Sequence, residues 1–170
     1  MTPFSKEAEF EAAVIAKLIQ HGWAAEILKN PSEADLLANW AEILYANNKG
    51  IDKLNEVPLT EGEMQQILEQ ITELRTPLKL NGFINGKTVS ITRDNPADAL
   101  HFGKEVSLKI YDRHEIAAGQ SRYQIVQQPP FKRGSDLQHD RRGDLLLLIN
   151  GMPLIHLELK RSKVSVWQAY

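Results

Sequence analysis

Residues 144–161 read DLLLLINGMPLIHLELKR, and the way this stretch turns back on itself decides the fold. Leu145 to Ile149 is an uninterrupted apolar run, as expected of a strand covered on both faces. Asn150-Gly151 is a dipeptide favoured in tight hairpins, whose central residues need positive φ. In the returning segment Ile155, Leu157 and Leu159 alternate with His156, Glu158 and Lys160, and a side-chain period of two places the last three on one face. Register decides whether Asp144 joins them. A two-residue loop pairs Ile149 with Met152, sets Asp144 opposite Leu157 and sends Glu158 to the other face. A three-residue loop, or a single bulge, sets Asp144 directly across from Glu158. The second register is expected, because Pro153 lacks the N–H that a regular ladder beside the turn would use.

Two carboxylates held about 5 Å apart across a strand pair repel when both are ionised, unless a cation lies between them. Magnesium suits such a pair: it takes hard oxygen ligands, needs only one or two carboxylates, and keeps waters and room for a substrate phosphate. A metal so held polarises a phosphodiester and lowers the pKa of an attacking water. Lys160, on the same face, is placed to steady that water or the charge that grows on phosphorus. The expected chemistry is phosphodiester hydrolysis, with Asp144 and Glu158 as metal ligands and Asp144, Glu158 and Lys160 as the catalytic set. The bland reading is an edge hairpin carrying a surface ion pair.

Asp144, a strand, a hairpin and then Glu158-Leu159-Lys160 resemble the PD-(D/E)xK nuclease motif. The whole run is similar to the strand-NG-P-strand-E-x-K signature of type I restriction enzyme R subunits. The resemblance implies an α/β fold, a mixed central β-sheet flanked by helices in the restriction-endonuclease-like manner. It implies a magnesium-dependent endonuclease that cuts DNA without sequence preference inside a larger, ATP-driven restriction complex. Double-stranded DNA and the methyltransferase and specificity subunits would be its partners. It further implies that a glutamate of the first helix, Glu9 or Glu11, lies near the site. Two departures stand out. Gly143 occupies the position that gives the motif its proline, and the chain ends at Gln168-Ala169-Tyr170, where the family has Gln-x-x-x-Tyr. No Gly-x-x-x-x-Gly-Lys-[Ser/Thr] loop occurs, so ATP is expected to act only through a motor outside this chain. The alternative is a catalytically silent, nuclease-like docking or DNA-binding module, and a stand-alone repair nuclease is a third possibility.

Outward from the hairpin, residues 1–128 hold 13 Lys+Arg against 18 Asp+Glu, whereas residues 129–170 hold 7 against 4. The loop PPFKRGSDLQHDRR contributes Lys132, Arg133, Arg141 and Arg142, and Arg161 and Lys163 follow the motif. These six either contact DNA phosphates, which positions a duplex without reading it, or belong to a solvated loop. His156 shares the active face and reads more simply as structural, as do Trp23, Trp40 and Trp167.

Upstream, Thr2-Pro3 opens a helix carrying Phe10, Val14, Ile15, Leu18 and Ile19, which His21-Gly22 stops. A second helix is expected from Pro31-Ser32 to about Gly50. A third starts at Thr60, whose spacing to Glu63 is that of a capping box, and ends at Thr76-Pro77. From Leu78 onward LKLNGFI, KTVSIT, VSLKIYD and SRYQIVQQ read as strands. The organisation expected is one endonuclease domain over residues 1–170, a fragment of a larger chain, with a helical insert at about 31–76. With 170 residues, no cysteine, no signal segment and no membrane-length apolar run, a soluble cytoplasmic protein is expected.

Overall fold

The computed structural model describes residues 7–74, 77–86, 88–129 and 144–159. They form two compact units, one from residues up to Leu36 together with those from Arg122 on, the other from Leu37 to Ser121. No helix among them is long and apolar enough to cross a membrane.

The first unit is a mixed sheet with a helix against it. Helix α1 (Glu7–Gln20) buries Ile15 against Ile125, Leu145, Leu147 and Leu159, with Val14 and Leu18 alongside, as the expected stripe requires. It ends where Gly22 adopts a φ of 93°, Gly22 N–H donating to Ile19 and Trp23 N–H to Leu18, a Schellman closure that a left-handed glycine makes cheap. Strand β1 (Ile27–Lys29) is parallel to β4 (Tyr123–Gln127). The latter is antiparallel to β5 (Leu145–Ile149), which pairs antiparallel with β6 (Met152–Leu157), giving the order β1-β4-β5-β6. This is the mixed sheet that the resemblance implies. At three residues β1 is too short for any periodicity to reveal it.

In the second unit, α2 (Glu33–Asn48, which begins in the first unit) and α3 (Glu61–Thr72) are the expected helices. Thr60 and Glu63 make the capping box in both directions, Thr60 Oγ1 accepting from Glu63 N–H and Glu63 Oε2 from Thr60 N–H. The segment LKLNGFI is not a strand. It lies in α4 (Pro77–Ile84), with Pro77 at the first helical position, where its fixed φ and missing N–H cost nothing. Asn85-Gly86 then closes that helix, with Gly86 at a φ of 105° and its N–H on the Phe83 carbonyl. A short apolar run fits either period, and burial of Phe83 edge-on against Tyr111 belongs to the helical solution.

KTVSIT and VSLKIYD do form strands, β2 (Thr88–Thr92) and β3 (Glu105–Lys109), in a two-stranded sheet of their own. A short helix α5 (Arg113–Ala117), capped by Asp112, follows them. Side-chain amides close the sheet's edges. Gln66 and Gln70 of α3 each donate to and accept from the β2 backbone, at Thr92 and Ser90 respectively. Asn48 does the same at Lys109 of β3. Each amide takes the place of a neighbouring strand's peptide and satisfies groups that would invite edge pairing.

Candidate active site

The hairpin realises the expected register through a bulge, with the loop kept short. Asn150 and Gly151 have φ of 52° and 81°, the positive values of a two-residue turn, and Ile149 pairs with Met152 and Leu148 with Pro153. The ladder then shifts: Leu147 faces Ile155, Leu146 faces His156 and Leu145 faces Leu157. Leu154 is the extra residue. The exposed Pro153 stands between turn and bulge, where its missing N–H is tolerated. Carried one residue further, the shifted ladder sets Asp144 across from Glu158. Asp144 is half-buried, its Oδ2 accepts the N–H of Leu159, and its carbonyl accepts from Gln128 N–H at 3.0 Å.

Leu145, Leu147 and Ile125 face α1, so alternation turns Leu146 and His156, and with them Asp144 and Glu158, to the opposite face. There His156 Nε2 lies 3.7 Å from Glu158 Oε2. A carboxylate–imidazole pair at this distance and exposure is weak.

Of the two helix glutamates, the sheet holds Glu11. Gln127 Nε2 donates to its Oε1 at 2.6 Å, whereas Glu9 is exposed. Glu11 precedes Ile15 and Leu18 on the stripe that faces the core, so it arrives at the Asp144 end of the sheet, but on the α1 side. Among the described residues, no three acidic or imidazole groups converge as a cage for a metal ion. Lys160, Lys132, Arg133, Arg141, Arg142, Arg161 and Lys163 lie outside the described residues. Gln127 and the place of the bulge, at Leu154, are the parts of this corner that sequence reasoning missed. The signal for the first was a glutamine pair closing the apolar strand YQIVQQ.

The chain matches the family described as Type I restriction enzyme R protein N terminus over residues 4–170. It is 30% identical over 167 residues to the type I restriction enzyme SsaAORF53P endonuclease subunit of Staphylococcus saprophyticus, covering 98% of this chain and 16% of the relative. The SauMSSORF170P endonuclease subunit of Staphylococcus aureus is 26% identical with the same coverage. The EcoprrI endonuclease subunit of Escherichia coli is 26% identical over 168 residues, 98% of this chain and 48% of that protein. The chain thus spans about 16% of the length of the staphylococcal relatives.

Proposed function

The chain belongs to the family of type I restriction enzyme R protein N termini, and on that premise we propose that it is the nuclease part of such a subunit, hydrolysing DNA phosphodiesters with magnesium. One observation supports this above the others: the bulged register that sets Asp144 across from Glu158 on a face shared with His156. The donor set fits the ion, since two hard carboxylates leave a magnesium site open for water and phosphate. Asp144 and Glu158 would hold it, the Leu159 N–H orienting Asp144. When bound, magnesium supplies polarisation of the phosphodiester and acidification of water. Lys160, two residues after Glu158, holds the attacking water or offsets charge on the phosphoryl oxygens. The basic residues Lys132, Arg133, Arg141, Arg142, Arg161 and Lys163 bind the duplex backbone, which gives affinity without sequence preference. In the longer enzyme, other parts choose the site and use ATP, with methyltransferase and specificity subunits as partners.

A nicking assay on supercoiled DNA tests the reading. The chain cuts with magnesium or manganese, and Asp144→Asn and Lys160→Ala each lower cutting about 100-fold or more. The absence of a three-group cage among the described residues favours a second reading, a silent docking or DNA-binding module. That reading prevails if neither this chain nor one extended beyond Tyr170 cuts.

A further inference from the structure

The connection between β2 and β3 is longer than a hairpin needs. It runs the twelve residues from Arg93 to Lys104, whereas hairpin loops commonly hold about 2–5. Chain entropy favours a loose loop at this length, yet this one is tied along its course. Arg93 N–H donates to the Lys104 carbonyl and Gly103 N–H to that of Arg93, both at 2.9 Å. The Asp98 carbonyl accepts from His101 N–H and Phe102 N–H, and the buried Asp98 side chain accepts from Arg93 Nε at 3.1 Å. The loop between α2 and α3 is fastened to it. Asn55 Nδ2 donates to Asp98 Oδ1 at 3.1 Å, and Asn95 Nδ2 to the Pro58 carbonyl at 3.2 Å.

What these ties display is apolar. Ile51, on the α2–α3 loop, is 74% exposed, and Leu100 and Phe102, on the β2–β3 loop, are 46% and 55% exposed. They are three of the four exposed large hydrophobic residues among the described residues, and they sit on two loops bonded to each other. A buried ion cluster stabilises little beyond apolar packing of the same volume. What it adds here is a single loop shape, and a shape fixed in advance has already lost the entropy that binding would otherwise cost.

Charge and area narrow the occupant. Between residues 49 and 61 and between residues 94 and 105, five exposed acids stand against three lysines, a balance that repels phosphates and suits a basic rim on a protein. At these exposures the three side chains offer on the order of 300 Å2, well under the roughly 800 Å2 per partner of a standard free complex. So small a contact holds a partner that is already tethered, because a linker raises the effective concentration to the millimolar range. A tethered partner is at hand in proteins of this kind, since the chain spans 16% of the length of its staphylococcal relatives.

We propose that Ile51, Leu100 and Phe102 form a docking surface for the rest of the longer polypeptide that carries this chain, received there by an apolar pocket with a basic rim. The proposal stands whichever reading of the hairpin holds.

Hydrogen exchange in the longer polypeptide, with this chain alone as reference, tests it. The amides of His101, Phe102 and Gly103, each bonded within the loop, exchange about 10-fold or more slowly in the longer polypeptide, because docking suppresses local opening. Leu100→Asp with Phe102→Asp removes that protection, while the melting temperature of this chain alone stays unchanged, both side chains being exposed. A second readout serves where the doubly substituted polypeptide fails to fold. Benzoylphenylalanine in place of Phe102 forms its photo-crosslink with residues of the same polypeptide beyond Tyr170. Equal exchange in the two proteins overturns the proposal, as does a crosslink only to a second copy, to another subunit or to DNA.

Discussion

The most consequential single residue outside the hairpin is Arg93, 1% exposed and surrounded by acceptors. Its Nη1 lies 2.6 Å from Glu63 Oε2, its Nε 3.1 Å from Asp98 Oδ2, and its Nη2 donates to the Val57 carbonyl. A buried charge is tolerable only when paired and saturated in this way, and removal of one partner is costly. Burial would raise the pKa of Asp98, but hydrogen bonds from Asn55, His101 and Arg93 outweigh it and hold the carboxyl below the ordinary 3.8. With the folded value depressed, the stability Asp98 contributes is present above that pH and is lost as pH falls through the folded value. Urea titrations should therefore show the second unit weakening below about pH 4, with Asp98→Asn costing about 3 kcal/mol at pH 7 and flattening the acid limb. An acid limb that is the same in both proteins would count against this account.

Among the elements, the hairpin shows how one inserted residue carries a site. A slip of one position moves every side chain of a strand to the opposite face. Leu154 supplies that slip between Ile155, which faces Leu147, and Pro153, which faces Leu148. Its deletion should remove the bulge and leave Leu147 across from Ile155 and Asp144 across from Glu158, whereas an alanine inserted between Asp144 and Leu145 should set Asp144 across from Leu159, on the opposite face. Cooperative unfolding should survive in both, with nicking kept by the deletion and reduced about 100-fold or more by the insertion, because misplacement of the reacting groups is costly even where the fold tolerates it. The alanine insertion with cutting unchanged would remove the register from the account of function. In two of the chain's three Asn-Gly pairs the glycine takes positive φ, with different results. Asn150-Gly151 turns a hairpin, whereas Gly86 of Asn85-Gly86 closes a helix. Local chemistry requires positive φ at both places; the neighbouring elements decide what it joins.

For the molecule as a whole, a net charge of -2 conceals a basic final quarter, with 7 Lys+Arg against 4 Asp+Glu in residues 129–170. If these residues meet phosphates, binding to any duplex weakens with salt, and each contact adds about 0.9 to the slope of log K against log salt. Lys132→Gln with Arg133→Gln should weaken binding equally on unrelated sequences and reduce that slope by about 1.8, measured by fluorescence anisotropy from low to moderate salt. An unchanged slope would return the loop to the solvent. The division into two units, each with its own core, places the hairpin with α1 in the first and the Arg93 cluster in the second.

The sequence alone determined what depends on near neighbours. The helix stripes, the Thr60 capping box, the glycine stops and the β5–β6 hairpin were legible because caps, turns and periodicity are satisfied within a few residues of chain. The choice between two registers was legible too, from a proline beside the turn. Only the tertiary structure decided where the bulge lies, that LKLNGFI is helical, that β2 and β3 stand apart from the main sheet, and that Glu11 rather than Glu9 reaches the sheet. Each of those depends on groups far apart in sequence: Phe83 on Tyr111, Gln66 and Gln70 on the β2 edge, Gln127 on Glu11. Burial and edge satisfaction are properties of surfaces that meet, and no window of the chain contains both surfaces.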